Sequence, residues 1–205
     1  MEEVKASAQT PEIEKVSFQL YEPSEKKNWV TPNVIVYGSW FLTIGFFWLF
    51  DGDSSNAALN SMRTYAVFCV GGISLYYLAA SFFTYKPLNG NLDGEIDFTQ
   101  NGITINGKLF MLKDIVNLDF FFINYYGEKP TGGVRGNFDP WFSQGVSNWI
   151  SFTDNAGNDY KFYFQLKFKE HYQDLAPFIN VAIKANKITF KRAIDLVGIE
   201  NVSIN

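Results

Sequence analysis

The stretch that decides the fold is a pair of uncharged apolar runs, NWVTPNVIVYGSWFLTIGFFWLF at residues 28–50 and TYAVFCVGGISLYYLAASFFTY at residues 64–85. They contain 23 and 22 residues, and a helix needs about 20 residues to cross the hydrocarbon core of a bilayer. Helices buried in a soluble core are the alternative, but those usually carry charge on one face. The runs therefore predict a transmembrane helical hairpin at 28–86.

Basic residues near the ends of the hairpin predict its orientation. Lys15, Lys26 and Lys27 precede the first run and Lys86 follows the second, whereas the connection at 51–63 carries only Arg63. Because basic flanks stay on the cytoplasmic side, both termini are expected in the cytoplasm of a multi-pass protein of the inner (plasma) membrane. Neither run contains a charged residue, which disfavours a channel or pump.

Small side chains in the second run predict how the two helices pack. Gly71 and Gly72, with the small residues at 79–81, would let the first helix approach closely. Cys69, the single cysteine, is expected at this helix interface. Self-association through the membrane helices is the other use of such a surface.

Composition excludes several classes of function. The 205-residue chain has a net charge of −4 and a pI near 5.0, which disfavours nucleic-acid binding. With one cysteine and one histidine, an intramolecular disulfide and a Cys/His metal site cannot be built. Carboxylates on strands and turns indicate a solvated sheet face, and His171 is expected to be exposed or to cap a helix. No catalytic residue, metal or cofactor is predicted, so the protein is expected not to be an enzyme.

The residues before the hairpin predict a tail and one strand. Residues 1–15 consist mainly of small or polar residues, with Glu, Ala, Ser, Gln and Pro among them, which is typical of a flexible tail. Val16, Phe18 and Leu20 then alternate with polar residues, the period of a strand with one buried face. A lone strand is unstable, so 16–27 is predicted to join the soluble domain by pairing with a sheet edge.

Residues 87–205 form the predicted soluble domain and begin with short strands. Asn101-Gly102 and Asn106-Gly107 separate alternating segments, as in tight type I′ hairpin turns. Further strands are predicted at 115–126, 149–152 and 160–168. One face of the last strand is apolar, which predicts an antiparallel sheet covered on one side.

Two helices are predicted to follow the strands. Apolar residues at 172–183 recur at steps of three and four, with Asp174 as the expected cap and Pro177 in the first turn. A shorter helix at 190–197 would begin after Thr189 and end at Gly198. The fold class is therefore α+β, a two-helix transmembrane hairpin with an antiparallel sheet domain and a closing helix.

Three short stretches carry a family resemblance, GEIDF at 94–98, GI at 102–103 and LKDI at 112–115. With the amino-terminal strand, the hairpin and the closing helix, the layout over about residues 15–186 resembles bacterial two-span membrane proteins bearing a cytoplasmic PH-like domain, such as the YcxB-like group. The resemblance implies a PH-like split β-barrel capped by a carboxy-terminal helix, with no catalytic residues. The segment 127–148 and the second helix depart from that layout.

The segment 127–148 supplies the first set of candidate binding residues. It is rich in glycine, and long loops without their own structure are often functional. The partner-binding candidates are Arg135, Phe138, Trp141 and Phe142, whose rings suit a protein partner or a headgroup layer. The alternative is that the rings fold back onto the mouth of the barrel.

A basic cluster near the carboxyl end supplies the second set. Its members are Lys184, Lys187, Lys191 and Arg192, which are candidates for binding lipid headgroups. The alternative is a solvated helix end.

The sequence is compatible with two functions. The first is a membrane-anchored, non-catalytic interaction module that presents a cytoplasmic PH-like domain to a protein partner. The second is a lipid or small-ligand sensor at the cytoplasmic face of the membrane. An open cavity in the barrel would favour the sensor, and a filled core would favour the module. The expected partners are the bilayer and a protein or a second copy of the chain, without nucleic acid.

Overall fold

The computed structural model describes residues 15–26, 29–50, 57–129 and 138–202. Across these residues the fold is α+β, with four α-helices and a seven-stranded antiparallel sheet. The chain forms two compact units. The sheet unit comprises the segment up to Pro23, Gly90–Tyr126 and Gly145–Asn205, and the helical unit comprises Ser24–Asn89 and Gly127–Gln144. The predicted tail at 1–15 lies, apart from Lys15, outside the described residues.

The helical unit contains α1 (Pro32–Leu49) and α2 (Ala57–Ser81). Both are long and apolar enough to cross a membrane, so the two predicted apolar helices are confirmed. α1 begins where Thr31 Oγ1 accepts a hydrogen bond from the backbone N–H of Val34 at 3.3 Å. Pro32 fits the first turn because that position needs no donor.

The packing of α1 and α2 differs from the prediction. Gly71 and Gly72 face open space, since a Cβ added to either would meet nothing within 4 Å. Cys69 is also exposed, so the expectation that these three residues lie at the helix interface is wrong. One contact between the two helices is a hydrogen bond, in which the indole N–H of Trp40 donates to Ser74 Oγ at 3.0 Å.

The sheet unit is built around its first strand. The strands are β1 (Val16–Pro23), β2 (Gly90–Thr99), β3 (Gly102–Ile105), β4 (Lys108–Met111), β5 (Ile115–Phe121), β6 (Asn148–Asp154) and β7 (Asp159–Phe164). Their order is β4-β3-β2-β1-β7-β6-β5. β1 pairs antiparallel with β2 and with β7, which confirms that it joins the sheet and places it inside rather than at an edge. Phe18 and Leu20 are buried on its core face.

One of the two predicted turns is confirmed and the other is displaced. Asn106 and Gly107 both have positive φ between the paired residues Ile105 and Lys108, as a type I′ turn requires. In the first hairpin Thr99 pairs with Gly102, so the central residues are 100 and 101. Gly102 instead opens β3, where a Cβ would clash with the backbone oxygen of Phe110.

Two strands are shorter than predicted because the backbone N–H groups beyond their ends donate to groups outside the predicted strand ladder. β5 ends at Phe121 rather than at 126, since the N–H groups of Ile123 and Asn124 donate to Asn148 Oδ1 at 2.8 and 3.1 Å. β7 ends at Phe164 rather than at 168, since the N–H of Leu166 donates to the carbonyl of Gly145 at 2.9 Å.

The helices of the sheet unit are α3 (Ala176–Lys184) and α4 (Phe190–Val197). α4 has the predicted bounds, with Thr189 Oγ1 accepting from the N–H of Arg192 and Gly198 at φ 85° ending it. α3 follows a 3-10 helix at His171–Leu175 and has Leu175 at its N-cap, so the predicted cap at Asp174 is wrong.

Aromatic rings fill the core of the sheet unit. The fully buried phenylalanines are Phe18, Phe98, Phe120, Phe152, Phe164 and Phe178. The ring of Phe178 on α3 lies 5.1 Å from that of Phe98 on β2. Phe110 on β4 lies 5.0 Å from both Phe152 on β6 and Tyr160 on β7. The sheet therefore curls until one edge strand touches rings of the opposite half.

Candidate functional site

The three aromatic candidates of the segment 127–148 contact helix ends within the helical unit. The ring of Phe138 lies 5.7 Å from Tyr37 of α1. Trp141 lies 4.5 Å from Phe82, and Phe142 lies 5.2 Å from Tyr85, both just beyond α2. All three candidate rings are half-buried. The three rings therefore pack against the helices of their own unit while remaining partly exposed.

Backbone bonds hold this segment against the same helices. The N–H of Trp141 donates to the carbonyl of Ser81 at 3.0 Å, and the N–H of Phe142 donates to the carbonyl of Thr84 at 3.3 Å. Asn33, in the first turn of α1, accepts from the N–H of Phe138 at 2.9 Å through Oδ1. The segment 138–142 is thus a wall of the helical unit. Arg135 lies outside the described residues.

The basic cluster is divided between two roles. Arg192 Nε contacts Asp119 Oδ1 at 2.8 Å, and Lys187 Nζ donates to the carbonyl of Lys113 at 3.1 Å. Lys184 and Lys191 are exposed. Two of the four cations thus contact other groups of the protein, and the other two are exposed to solvent.

The contact made by Arg192 also covers one edge of the sheet. β5 is the last strand in the sheet, and Arg192 Nη2 donates to the backbone carbonyl of Phe120 at 2.7 Å. A charged side chain over an edge strand prevents a further strand from pairing there. The salt bridge to Asp119 fixes the guanidinium in that position.

The opposite edge, β4, has no such cover among the described residues. Ile105 and Lys108 flank the tight turn and form a hydrogen-bonded pair, and such pairs recur at every second residue of an antiparallel ladder. The backbone N–H and C=O groups of Lys108 and Phe110 therefore point toward β3. The N–H groups of Leu109 and Met111 therefore point to the open side. Their side chains are 47% and 44% exposed, so the edge is also apolar. The sequence shows a strand here, but only the sheet order reveals that it is an edge.

His171 is buried, so the expectation of an exposed or capping histidine is wrong. Its ring lies 4.6 Å from both Phe18 and Phe168, and Nδ1 accepts from the N–H of Lys167 at 3.0 Å. Burial lowers the pKa of His171, because desolvation penalises the charged ring more than Asp174, 3.9 Å away, favours it. These contacts give the imidazole a structural role.

The carboxylates of the sheet unit are held in separate local contacts. Asp97 pairs with Lys15 at 2.9 Å. Asp154 accepts from the N–H groups of Ala156 and Asn158 in the β6–β7 turn, and its bonds from Asn158 lower the pKa of this carboxyl. In the described part of the chain, no group of three or more His, Cys, Asp or Glu residues is placed to hold a metal ion.

No family model, curated protein or solved structure matches this chain. The geometry of the chain itself is therefore the basis for inferring its function. Its two informative features are the unequal edges of the sheet and the exposed apolar surface of α1 and α2.

Proposed function

We propose that the protein is a membrane-anchored, non-catalytic interaction module. In this proposal α1 and α2 cross the inner (plasma) membrane, and the sheet unit offers its β4 edge to an extended segment of a protein partner. The sheet unit is a PH-like split barrel covered by its carboxy-terminal helices, in the manner of the YcxB-like group. The curled sheet and the burial of Phe178 of α3 against it support that assignment.

The exposed surface of the helical unit supports the membrane placement. Phe41 is 77% exposed on α1, and Phe68 is 73% exposed on α2. A core helix of a soluble protein buries such rings, because leaving one in water forgoes about 1.5–3 kcal/mol of hydrophobic stabilisation. Lipid chains are a solvent in which both rings are stable without a protein partner.

Strand pairing supports a hairpin with both ends on one side of the membrane. β1 precedes α1 in the chain and β2 follows α2, and the two strands pair along their lengths. They can do so only if the chain returns to the side from which it started. The basic residues Lys26 and Lys86, which flank the two helices, favour the cytoplasm for that side.

The packed core favours the module over a sensor that binds its ligand inside the barrel. Phe98 contacts Phe18, Phe120 and Phe178 at ring distances of 5.1–5.8 Å, so side chains occupy the centre of the sheet unit. A ligand in that space would have to displace them, at a cost of several kcal/mol.

The difference between the two sheet edges is the reason for choosing β4 as the binding surface. Arg192 covers β5, whereas β4 presents the N–H groups of Leu109 and Met111 between exposed apolar side chains. An extended peptide can add to such an edge through backbone bonds, with pockets for alternate side chains giving specificity. β4 has only four residues, which suits a partner that binds reversibly.

Site-specific photocrosslinking in native membranes tests the proposal. A benzophenone side chain is placed in the full chain at Met111 on β4 and, as the matched control, at Val116 on the covered β5 edge. We expect a defined adduct from Met111 and none from Val116. A second copy of the chain as the adduct would make the partner a homomeric one.

A second substitution tests whether the adduct depends on strand pairing at β4 or only on the proximity of the partner to Met111. Leu109→Pro removes the outward N–H and leaves the bonds of Lys108 and Phe110 to β3, since proline is tolerated at edge positions whose N–H faces solvent. The Met111 adduct should disappear in this variant while membrane insertion is unchanged. An adduct that persists, or one that forms equally from Val116, would contradict the proposal.

A further inference from the structure

The open edge of the sheet carries a cation at each of its ends. Lys108 is the first residue of β4, and Lys113 follows Met111, the last residue of the strand, by two positions. Both lysine side chains are exposed. Between them lie the exposed apolar side chains of Leu109 and Met111. The edge is therefore an apolar centre between two ammonium groups.

Two aromatic rings hold the ammonium group of Lys108 in place. Its Nζ lies 4.8 Å from the ring centroid of Phe110 and 5.6 Å from that of Tyr160. A ring face attracts a cation but does not use its N–H donors as a carboxylate does. Among the described residues Lys108 forms no ion pair. This ammonium group is thus positioned at the start of β4 and can still bind an incoming carboxylate.

A second cation lies at the other end of the strand. Lys187 Nζ donates to the backbone carbonyl of Lys113 at 3.1 Å, which brings two lysines to this end. Asp114, the next residue, is held by Asn155, whose Nδ2 donates to Asp114 Oδ1 at 3.1 Å. Two ammonium groups against this carboxylate leave a net positive charge here.

The sheet face that carries Leu109 supplies no free negative charge beside the edge. Leu109 pairs with Thr104 of β3, and Thr104 pairs with Asp97 of β2. Asp97 lies two strands away, a distance of about 10 Å, and it forms an ion pair with Lys15 at 2.9 Å. Although the whole chain has a net charge of −4, the charge along the β4 edge is therefore positive.

These charges disfavour a second copy of the chain as the partner. Antiparallel pairing of two β4 strands would align Leu109 and Met111 with the same residues of the other copy. The same alignment would bring the Lys108 of each copy close to the Lys113 of the other. Like charges across a strand pair are destabilising, whereas opposite charges are favourable.

We propose that the β4 edge binds an extended segment of a different protein that is apolar in its centre and has a carboxylate side chain at each end. This inference rests on the proposed function, which assigns β4 as the binding surface. The apolar side chains of the segment would contact Leu109 and Met111, and its carboxylates would pair with Lys108 and Lys113. Because these two lysines are five positions apart in the chain, the acidic residues of the segment should be about five positions apart.

Binding of three synthetic peptides to the purified full chain in an uncharged detergent tests the inference by fluorescence anisotropy. The peptides are blocked at both termini, share the core Val-Thr-Val-Thr, and carry Glu, Gln or Lys at both ends. We expect the Glu peptide to bind about tenfold more tightly than the Gln peptide at low salt, since each exposed ion pair contributes about threefold. The Lys peptide should bind most weakly. Equal binding of the three peptides, or the reverse order, would overturn the proposal.

Matched variants assign the preference to the two lysines. Lys108→Gln and Lys113→Gln should each reduce the preference for the Glu peptide about threefold. Lys108→Glu combined with Lys113→Glu should reverse it in favour of the Lys peptide, a result that a misfolded variant cannot give. Lys184→Gln changes an exposed cation of α3 and should have no effect. An unchanged preference in the doubly substituted variant would overturn the assignment.

Two further results separate this inference from the proposed function. Leu109→Pro removes the outward N–H of β4, so it should weaken all three peptides alike. Equal binding of the three peptides that Leu109→Pro abolishes would retain the β4 edge as the binding surface and overturn only the charge pattern. Absence of peptide binding while the Met111 adduct still forms would likewise overturn this inference alone, and absence of both would overturn the two together.

The identity of the Met111 adduct in native membranes provides an independent test. Mass spectrometry of the crosslinked peptide should reveal a segment of another protein with acidic residues on both sides of an apolar centre. An adduct with lipid, with a second copy of the chain, or with a segment that lacks the acidic residues would overturn the inference.

Discussion

The two units of this protein use aromatic side chains in opposite ways. In the sheet unit, the rings of Phe98, Phe120 and Phe178 are fully buried and contact one another. In the helical unit, Phe41 and Phe68 point outward and are largely exposed. The same residue type therefore marks a protein interior in one unit and a surface in the other.

This difference teaches that exposure must be interpreted against the solvent that surrounds each unit. Water drives rings inward in the sheet unit, because burial removes apolar surface from it. In the proposed membrane placement, the hydrocarbon solvent provides no such force between helices, so outward rings carry no penalty in the helical unit. Substitutions of one residue type should then have unequal effects in the two units, and the predictions below test that inequality.

The largest expected effect is the removal of a buried ring. Phe98→Ala should destabilise the sheet unit by about 3–5 kcal/mol, because the cavity it leaves lies among packed rings. The matched Phe41→Ala in α1 should change the stability of the reconstituted protein by less than about 1 kcal/mol, as expected for a surface position. Denaturant unfolding of both variants in lipid bilayers measures the difference. Equal losses would show that α1 is buried in protein rather than in lipid.

A charge placed in the middle of α1 should have the next largest effect. Leu42→Arg is expected to disfavour insertion by about 2.5–3.5 kcal/mol, the cost of arginine at the centre of a membrane helix. The measurement is the fraction of full-length chain that resists carbonate extraction. The control is Leu109→Arg on the exposed β4 edge, which should leave that fraction unchanged.

Removal of a buried amide should have a smaller effect, confined to the sheet unit. Asn148 accepts from two N–H groups through Oδ1 and donates to the carbonyls of Asn124 and Gly145. Asn148→Leu should cost about 2 kcal/mol, since buried backbone groups lose their partners. Thr43→Val is the comparison in α1, where the hydroxyl bonds only within its own helix. If the two variants lost equal stability, the backbone of the helical unit would also depend on side-chain bonds.

The smallest expected effect is a pH dependence that arises from His171. Its folded pKa lies below the unfolded value of about 6.5, so the unfolded chain binds a proton more readily. Stability should therefore be highest above that value and should fall as the pH decreases from about 6.5 toward the folded pKa. Melting temperatures measured across this range provide the test, and His171→Asn should remove the pH dependence.

The parts of the fold predicted from the sequence depend on local signals. Thr189 and Gly198 bracket α4 because capping groups act on the adjacent turn. The alternation of Phe18 and Leu20 predicts β1 because one face of a strand must be covered. The apolar runs predict α1 and α2 from length and composition alone.

The parts that the sequence did not reveal depend on distant contacts. Asn148 ends β5 from about 25 positions away, and Asn33 binds the N–H of Phe138 across about 105 positions. His171 is buried because the 3-10 helix brings it back against Phe18. Neither the open β4 edge nor the contact of Lys187 with Lys113 beside it has a sequence motif, since each is created by elements that are separated in the chain.

The position of β1 has a consequence for how the protein is made. β1 is synthesised before α1, yet its partner residues in β2 and β7 follow α2, and Phe164 of β7 lies 144 positions after its partner Leu20. In the proposed membrane placement, the growing chain must therefore keep Phe18 and Leu20 unpaired while both helices enter the membrane. If one helix failed to insert, β1 and β2 would emerge in different compartments and the sheet would lack its central strand. Under this proposal, the sheet can be completed only when both helices have inserted, so its assembly depends on the correct membrane topology.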